Sequence, residues 1–368
     1  MQAFMKGSLR ALGYFLCYFF FLFGSGRSFL LSKPTYDLSD LQIQKAASYS
    51  RAHNHLSLLI IKDGQVLHEE YAPGNSPYLR HRIFSGTKGF WGVIAMKALE
   101  ERLFSLQEPV ASTIEEWSNG NHNDPRKRIT IYDLLHFTDG IEPAFYLHND
   151  GFLDRNLHAL LLKPVRAPGT VFTYGPSHLQ IFCEILNRKL RQKGMTTSRY
   201  IEEKLLFPLG IQQVEFKKDG HGNPLLAAGF RLTPREWARL GELILQKGWY
   251  GGKNIISWPY LKECFQGSSV NPLYGIGFWV NTLAPYGREI DVEQELSKPW
   301  EKENWHRGSL CNDAPSDLIE SIGSANQRLL VIPSMHLIIV RQSHGGGFSD
   351  RTFLKLLFGK INSLSLIR

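Results

Sequence analysis

The chain has 368 residues, 43% of them apolar and 21% charged, with eight Trp and 23 Phe spread along its length, so a disordered chain is excluded. Its formal charge is +8, yet no cluster of Lys and Arg with interleaved aromatics occurs, which leaves nucleic-acid binding without support. The length suits one large domain or two smaller ones sharing a cleft.

In chain order, the N-terminus comes first. Lys6 and Arg10 precede an unbroken apolar run, Ala11 to Phe23, and Gly24-Ser25-Gly26 supplies small residues where a signal peptidase needs them. The pattern predicts a signal peptide over residues 1–26 and an exported protein of the bacterial periplasm. The alternative is an uncleaved anchor in the inner membrane. Only 16 residues separate Arg10 from Arg27, short of the roughly 20 that span a bilayer. Cys17 would leave with the signal. Cys183, Cys264 and Cys311 remain, widely spaced, and read as buried thiols with at most one bridge among them.

Residues 56–61 are a β-rich apolar run; Asp63-Gly64 and then residues 65–71 complete a predicted hairpin. Residues 88–103 carry Trp91, Ile94, Ala95, Ala98, Leu99 and Leu103 at helical spacing. Residues 178–193 and 198–206 are helical as well. Thr233-Pro234-Arg235-Glu236 reads as a helix start, with a capping Thr, Pro at the first position and Glu three residues after the cap. Arg328 to Ile332 and His336 to Gln342 flank Pro333-Ser334-Met335 as a second hairpin, rich in Leu, Ile and Val and apolar enough to be buried on both faces. Strands at both ends with helices between them predict an α+β protein. Residues 33–83 plus 265–368 form its antiparallel sheet domain and residues 84–264 an inserted, mostly helical domain, with the active site in the cleft between them.

Phe84-Ser85-Gly86-Thr87-Lys88-Gly89 lies where the first strands give way to the first long helix. Residues three apart on a helix share a face, so the Ser85 hydroxyl and the Lys88 amine can share a proton. Serine is a poor nucleophile without an adjacent base, and lysine becomes a base when burial lowers its pKa. The helix N-terminus adds backbone N–H groups for an oxyanion. Taken alone, the spacing is better explained by a helix cap at Ser85 and a surface lysine at Lys88.

With its surroundings, the segment resembles the serine β-lactamase-related hydrolases: class C β-lactamases, D,D-peptidases (penicillin-binding proteins), family VIII-type esterases and aminohexanoate-oligomer hydrolases. Leu58 to Gly64, Glu70-Tyr71 and Ser85-Gly86-Thr87-Lys88 carry the first part of the likeness. Leu134-Leu135-His136-Phe137-Thr138-Asp139-Gly140, Pro168 to Tyr174, Phe207 to Ile211, Gly229 to Gly241 and Tyr274 to Trp279 follow in order. The resemblance implies a β-lactamase/D,D-peptidase-like fold and a catalytic set of Ser85, Lys88 and Tyr174. It also implies an oxyanion hole from the backbone N–H groups of Ser85 and Ser324, and Pro176, Ile322 and Gly323 lining the substrate. Two departures stand out. The family's Tyr-x-Asn reads Tyr174-Gly175-Pro176, and its Lys-Thr-Gly strand reads Ile322-Gly323-Ser324, without the Lys. Ser-x-x-Lys with neither Asn nor that Lys is most similar to the esterase and aminohexanoate-oligomer branch.

The reading that follows is a serine hydrolase, of amidase or esterase type, acting on a small amide or ester without cofactor, metal or nucleic acid. A membrane partner enters only if the N-terminal segment is uncleaved. The alternatives are a D,D-carboxypeptidase or weak β-lactamase acting on cell-wall peptide or β-lactam, and a silent penicillin-binding-type module. Asn121-His122-Asn123-Asp124, Asp219 to Asn223 and Ser343 to Phe348 are read as turns.

Overall fold

The alternation of apolar residues in the first strand explains why the protein has two cores. The computed structural model describes residues 36, 38–119, 123–212, 214–282, 288–296 and 305–359; the expected signal peptide, residues 1–26, lies outside them, as do His122 and Cys17. Helix α1 (Asp40–Ala52) leads into β1 (His55–Lys62), and the hairpin turn returns the chain as β2 (Gln65–Tyr71). Asp63 and Gly64 both have positive φ (51° and 75°), the two-residue turn whose twist matches paired strands. Leu58 and Ile60 face one way, into a cluster with Ile43, Ala46, Phe353 and Leu354. Leu59 and Ile61 face the other, into the large core that holds Trp91, Trp237 and Leu240. A side-chain period of two thus divides one strand between two apolar layers.

After β3 (His81–Arg82) comes α2 (Thr87–Glu100), buried on almost every side from Thr87 to Met96, as befits a helix through the centre of a domain. It ends three residues earlier than its periodicity predicts, because Arg102 takes up a left-handed φ of 57° and turns the chain. The middle of the chain supplies α3 (Ser177–Arg191), β4 (Glu215–Phe216), β5 (Phe230–Leu232) and α4 (Pro234–Leu245). The predicted cap of α4 is a complete capping box: Thr233 Oγ1 accepts from Glu236 N, and the Glu236 side chain accepts from Thr233 N. Short β3, β5 and β4 make a three-stranded ribbon of their own.

The chain then returns to the sheet with β6 (Trp279–Val280), β7 (Ile319–Gly323), β8 (Gln327–Ile332) and β9 (Leu337–Ser343), and closes with α5 (Asp350–Phe358). Among the described residues the sheet has six strands in the order β2-β1-β9-β8-β7-β6, every pair antiparallel. β1 lies between β2 and β9, with Leu59 opposite Val340 and Ile60 opposite Ile339, so sequence-distant termini form the sheet's centre. Helix α4 lies within the interval 84–264, yet it packs on the sheet, with Gly241 against Ile338. Tyr36 onward forms one compact unit.

Cys183, Cys264 and Cys311 are buried and free, which closes the question of a bridge among them. Among the described residues, no helix is long and apolar enough to cross a membrane.

Candidate active site

Ser85 sits in a single 3-10 turn, Phe84–Gly86, directly ahead of α2. The backbone of Phe84 is left-handed (φ 46°), a conformation that costs an L-residue of this kind about 1–2 kcal/mol. Packing on three sides holds the turn in place. A Cβ at Gly86 would lie 2.4 Å from the Trp237 ring, so only glycine fits there. Ser321 Oγ of β7 donates to Gly86 O at 3.0 Å, and Phe230 N of β5 donates to Thr87 Oγ1 at 3.1 Å.

One turn along α2, Lys88 is buried, with Nζ 2.8 Å from Ser85 Oγ and 2.9 Å from the Ala227 carbonyl oxygen. Burial lowers its pKa to about 7, so a neutral amine, able to accept a proton, is populated near neutral pH. Tyr174 completes the group, with its hydroxyl near the Ser85 side chain. Burial pushes the Tyr174 pKa up, and this outweighs the opposing effect of Ser85. A tyrosinate is therefore disfavoured, and of the two groups Lys88 is the better proton acceptor near neutral pH. Its amine lies over the Tyr174 ring, 4.6 Å from the centroid. Behind Tyr174, Phe137, Tyr274 and Trp279 form an aromatic wall with ring centroids 5.6–6.2 Å from the Tyr174 ring. The Asp139 carboxylate of the sequence's Thr-Asp-Gly step lies 2.5 Å from His178 on α3, both fully buried.

A cavity of about 520 Å³ opens beside Ser85, within the range of small-molecule sites. Ser324 lines it together with Ser85, as do Arg82, His148, Asp150, Glu215, Lys217 and Arg231. The three residues expected to line the substrate do not reach it. Pro176 is buried at the start of α3, and Ile322 is 6% exposed in the core. Gly323 serves packing rather than substrate approach: a Cβ there would lie 2.0 Å from the Ile83 carbonyl oxygen, just upstream of the turn that carries Ser85. An assignment of strand or helix from sequence fixes neither the depth of a residue nor its partner. Conversely, nothing in the sequence pattern singles out His148. Asp219, in the stretch read as a turn, accepts from His221 N, Asn223 N and Arg155 N, as turn chemistry requires.

The Beta-lactamase family model matches residues 43–260, more than half the chain and inclusive of Ser85, Lys88 and Tyr174. The chain belongs to the β-lactamase family. Its relatives include Protein flp of Staphylococcus aureus, 26% identical over 212 residues, 53% of this chain and 42% of that protein. The match thus spans less than half of that relative's own length. The 6-aminohexanoate-dimer hydrolase of Paenarthrobacter ureafaciens is 20% identical over 308 residues, 78% of this chain and 72% of the relative. Among solved structures, a class C β-lactamase from Rhodobacter sphaeroides aligns with a TM-score of 0.61 at 15% identity, covering 87% of this chain and 97% of the other. A penicillin-binding protein homologue from Caulobacter crescentus does so with 0.61 at 14%, covering 88% and 97%. These likenesses establish the β-lactamase/penicillin-binding-protein fold.

Proposed function

We propose that the protein is a serine hydrolase that cleaves a small amide or ester through a covalent acyl-enzyme on Ser85. The observation that carries this reading is the buried Lys88 amine, 2.8 Å from Ser85 Oγ and with a pKa near 7. Neutral Lys88 takes the hydroxyl proton as Oγ adds to the substrate carbonyl. The backbone N–H groups of Ser85 and Ser324 hold the oxyanion. Tyr174, protonated, gives its proton to the leaving amine or alcohol and recovers one from Lys88. Water then attacks the ester along the reverse path. No step requires a cofactor or a metal.

An amide substrate draws support from the relative named for the 6-aminohexanoate dimer. One observation favours a second reading, a D,D-carboxypeptidase or weak β-lactamase. Arg82 and Arg231 face each other across β3 and β5 at the cavity, where a substrate carboxylate would find cations despite the missing Lys. The apolar N-terminal run fits an exported or membrane-anchored enzyme.

The test is labelling of the purified protein by a fluorophosphonate probe and, separately, by a fluorescent penicillin, alongside Ser85→Ala. Fluorophosphonate labelling that is lost in Ser85→Ala is the expected result. Additional labelling by penicillin would favour the second reading. Absence of both would replace an enzyme by a silent module.

A further inference from the structure

The cavity beside Ser85 contains a histidine that the Ser85–Lys88–Tyr174 chemistry leaves unused. His148 ends a short 3-10 turn, Phe145–His148, and lines the cavity together with Ser85. Its Nε2 is buried and has no hydrogen-bond partner among the described residues. A buried imidazole nitrogen without a partner costs about 1–3 kcal/mol, so its persistence calls for a reason.

The backbone around it is held with unusual care. Buried Arg155 donates through Nε to the Leu147 carbonyl at 2.8 Å and through an Nη to the Asn149 carbonyl at 3.2 Å. Between them, Lys217 Nζ donates to the His148 carbonyl at 2.5 Å and pairs with Asp150 at 2.8 Å. Three consecutive carbonyl oxygens are thus fixed by two cations. Arg155 is held by carbonyl oxygens, and its remaining Nη is left unpartnered. Sinking a guanidinium beneath a loop on such terms is costly, and what it secures is the position of the loop's side chain. The surrounding charge has a second effect. Burial first, then the cations Lys88, Lys217 and Arg155, hold the His148 pKa down to about 4. At neutral pH the ring is uncharged, so it can keep a lone pair on Nε2 without adding a positive charge next to Lys88.

We propose that His148 is a further catalytic residue: with its proton on Nδ1, it accepts a hydrogen bond at Nε2 from the water that hydrolyses the Ser85 acyl-enzyme. The inference rests on the acyl-enzyme reading above. In that step the water oxygen forms a bond to the acyl carbon and one water proton passes to Tyr174 as the Tyr174 proton passes to neutral Lys88. The other hydrogen points at His148 Nε2 and aims the oxygen. The tetrahedral adduct then collapses with cleavage of the carbon–Oγ bond, and the proton on Lys88 returns to Ser85 Oγ. Acylation uses no water and needs no His148, so the two half-reactions depend on it differently.

The experiment is pre-steady-state hydrolysis of p-nitrophenyl acetate by the full chain, its His148→Phe variant, which keeps bulk and loses the acceptor, and His148→Gln, which restores one. The expected result in His148→Phe is a burst of one nitrophenolate per protein at an unchanged rate and a steady-state rate at least 10-fold lower. His148→Gln should recover part of the loss, and fluorophosphonate labelling of Ser85 should remain at the wild-type rate in both. An unchanged steady-state rate in His148→Phe, or an equal fall of burst and steady-state rates in both variants, would overturn the role. A wild-type chain that is neither labelled by fluorophosphonate nor gives a burst would instead overturn the acyl-enzyme reading, and the role with it.

Discussion

The strand β1 and the segment that carries His148 are both fixed in place, but by opposite means. β1 is held by many interchangeable contacts: its apolar side chains fill two cores and its backbone is paired on both edges. The His148 segment is held by a few polar contacts from Arg155 and Lys217, while its neighbours Phe145 and Tyr146 lie exposed. Apolar burial gives stability and tolerates exchange of like for like; polar clamps give position and tolerate little. The turn that carries Ser85 combines both, with Trp237 packed against Gly86 and Lys88 buried at a cost to the fold.

The largest test of this contrast is Lys88→Met. Turnover should fall by about 10²–10⁴-fold, the usual share of a general base. Stability should move the other way. The folded-state pKa, about 7, lies below the ordinary 10.5. Below pH 7 the folded protein must bury a charge, and above 7 the unfolded chain still binds a proton that the folded chain does not. Wild-type stability therefore rises from pH 7 towards 10.5, by an amount on the order of 4–5 kcal/mol for a shift of this size. Thermal melts should show Lys88→Met more stable than wild type at pH 6, with the gap closing as pH rises. A less stable variant at pH 6 would contradict the burial argument.

In the centre of the sheet the expectations reverse. Ile339→Ala, at a fully buried site of β9, should lose about 2–5 kcal/mol in denaturant unfolding, while kcat of the remaining folded protein is unchanged. The smallest effect is at the cap of α4. Thr233→Ala removes one side of the capping box and should cost about 1 kcal/mol, read as a small drop in Tm with no kinetic change.

What was legible in the sequence follows the same division. The two hairpins, the helix over residues 88–103 and the Thr233 cap rest on local rules of period and turn chemistry, and each is present in the fold. Ser85 and Lys88 were legible because a helix places residues three apart on one face. Tyr174 depended on resemblance and reaches Ser85 through tertiary structure alone. Pro176, Ile322 and Gly323 were misplaced because a strand or helix assignment does not reveal which neighbour covers a residue. His148 was invisible for a related reason. Its setting is made by Lys88, Arg155 and Lys217, and no periodic pattern in residues 141–165 announces that they converge.

The pairing of β1 with β9 also governs how the chain comes into being. Ser57 Oγ donates to Gln342 Oε1 at 3.1 Å across 285 residues of sequence, so the middle of the sheet cannot close until nearly the last strand has been made. At about 5–20 residues per second, ribosomal synthesis leaves β1 waiting for tens of seconds. Throughout that interval Leu56 to Ile61 is an uncharged, β-prone segment with no partner on one edge, the kind of stretch that seeds association between chains. The burden of keeping it apart falls on whatever holds the nascent chain, and high contact order makes closure slow even after release.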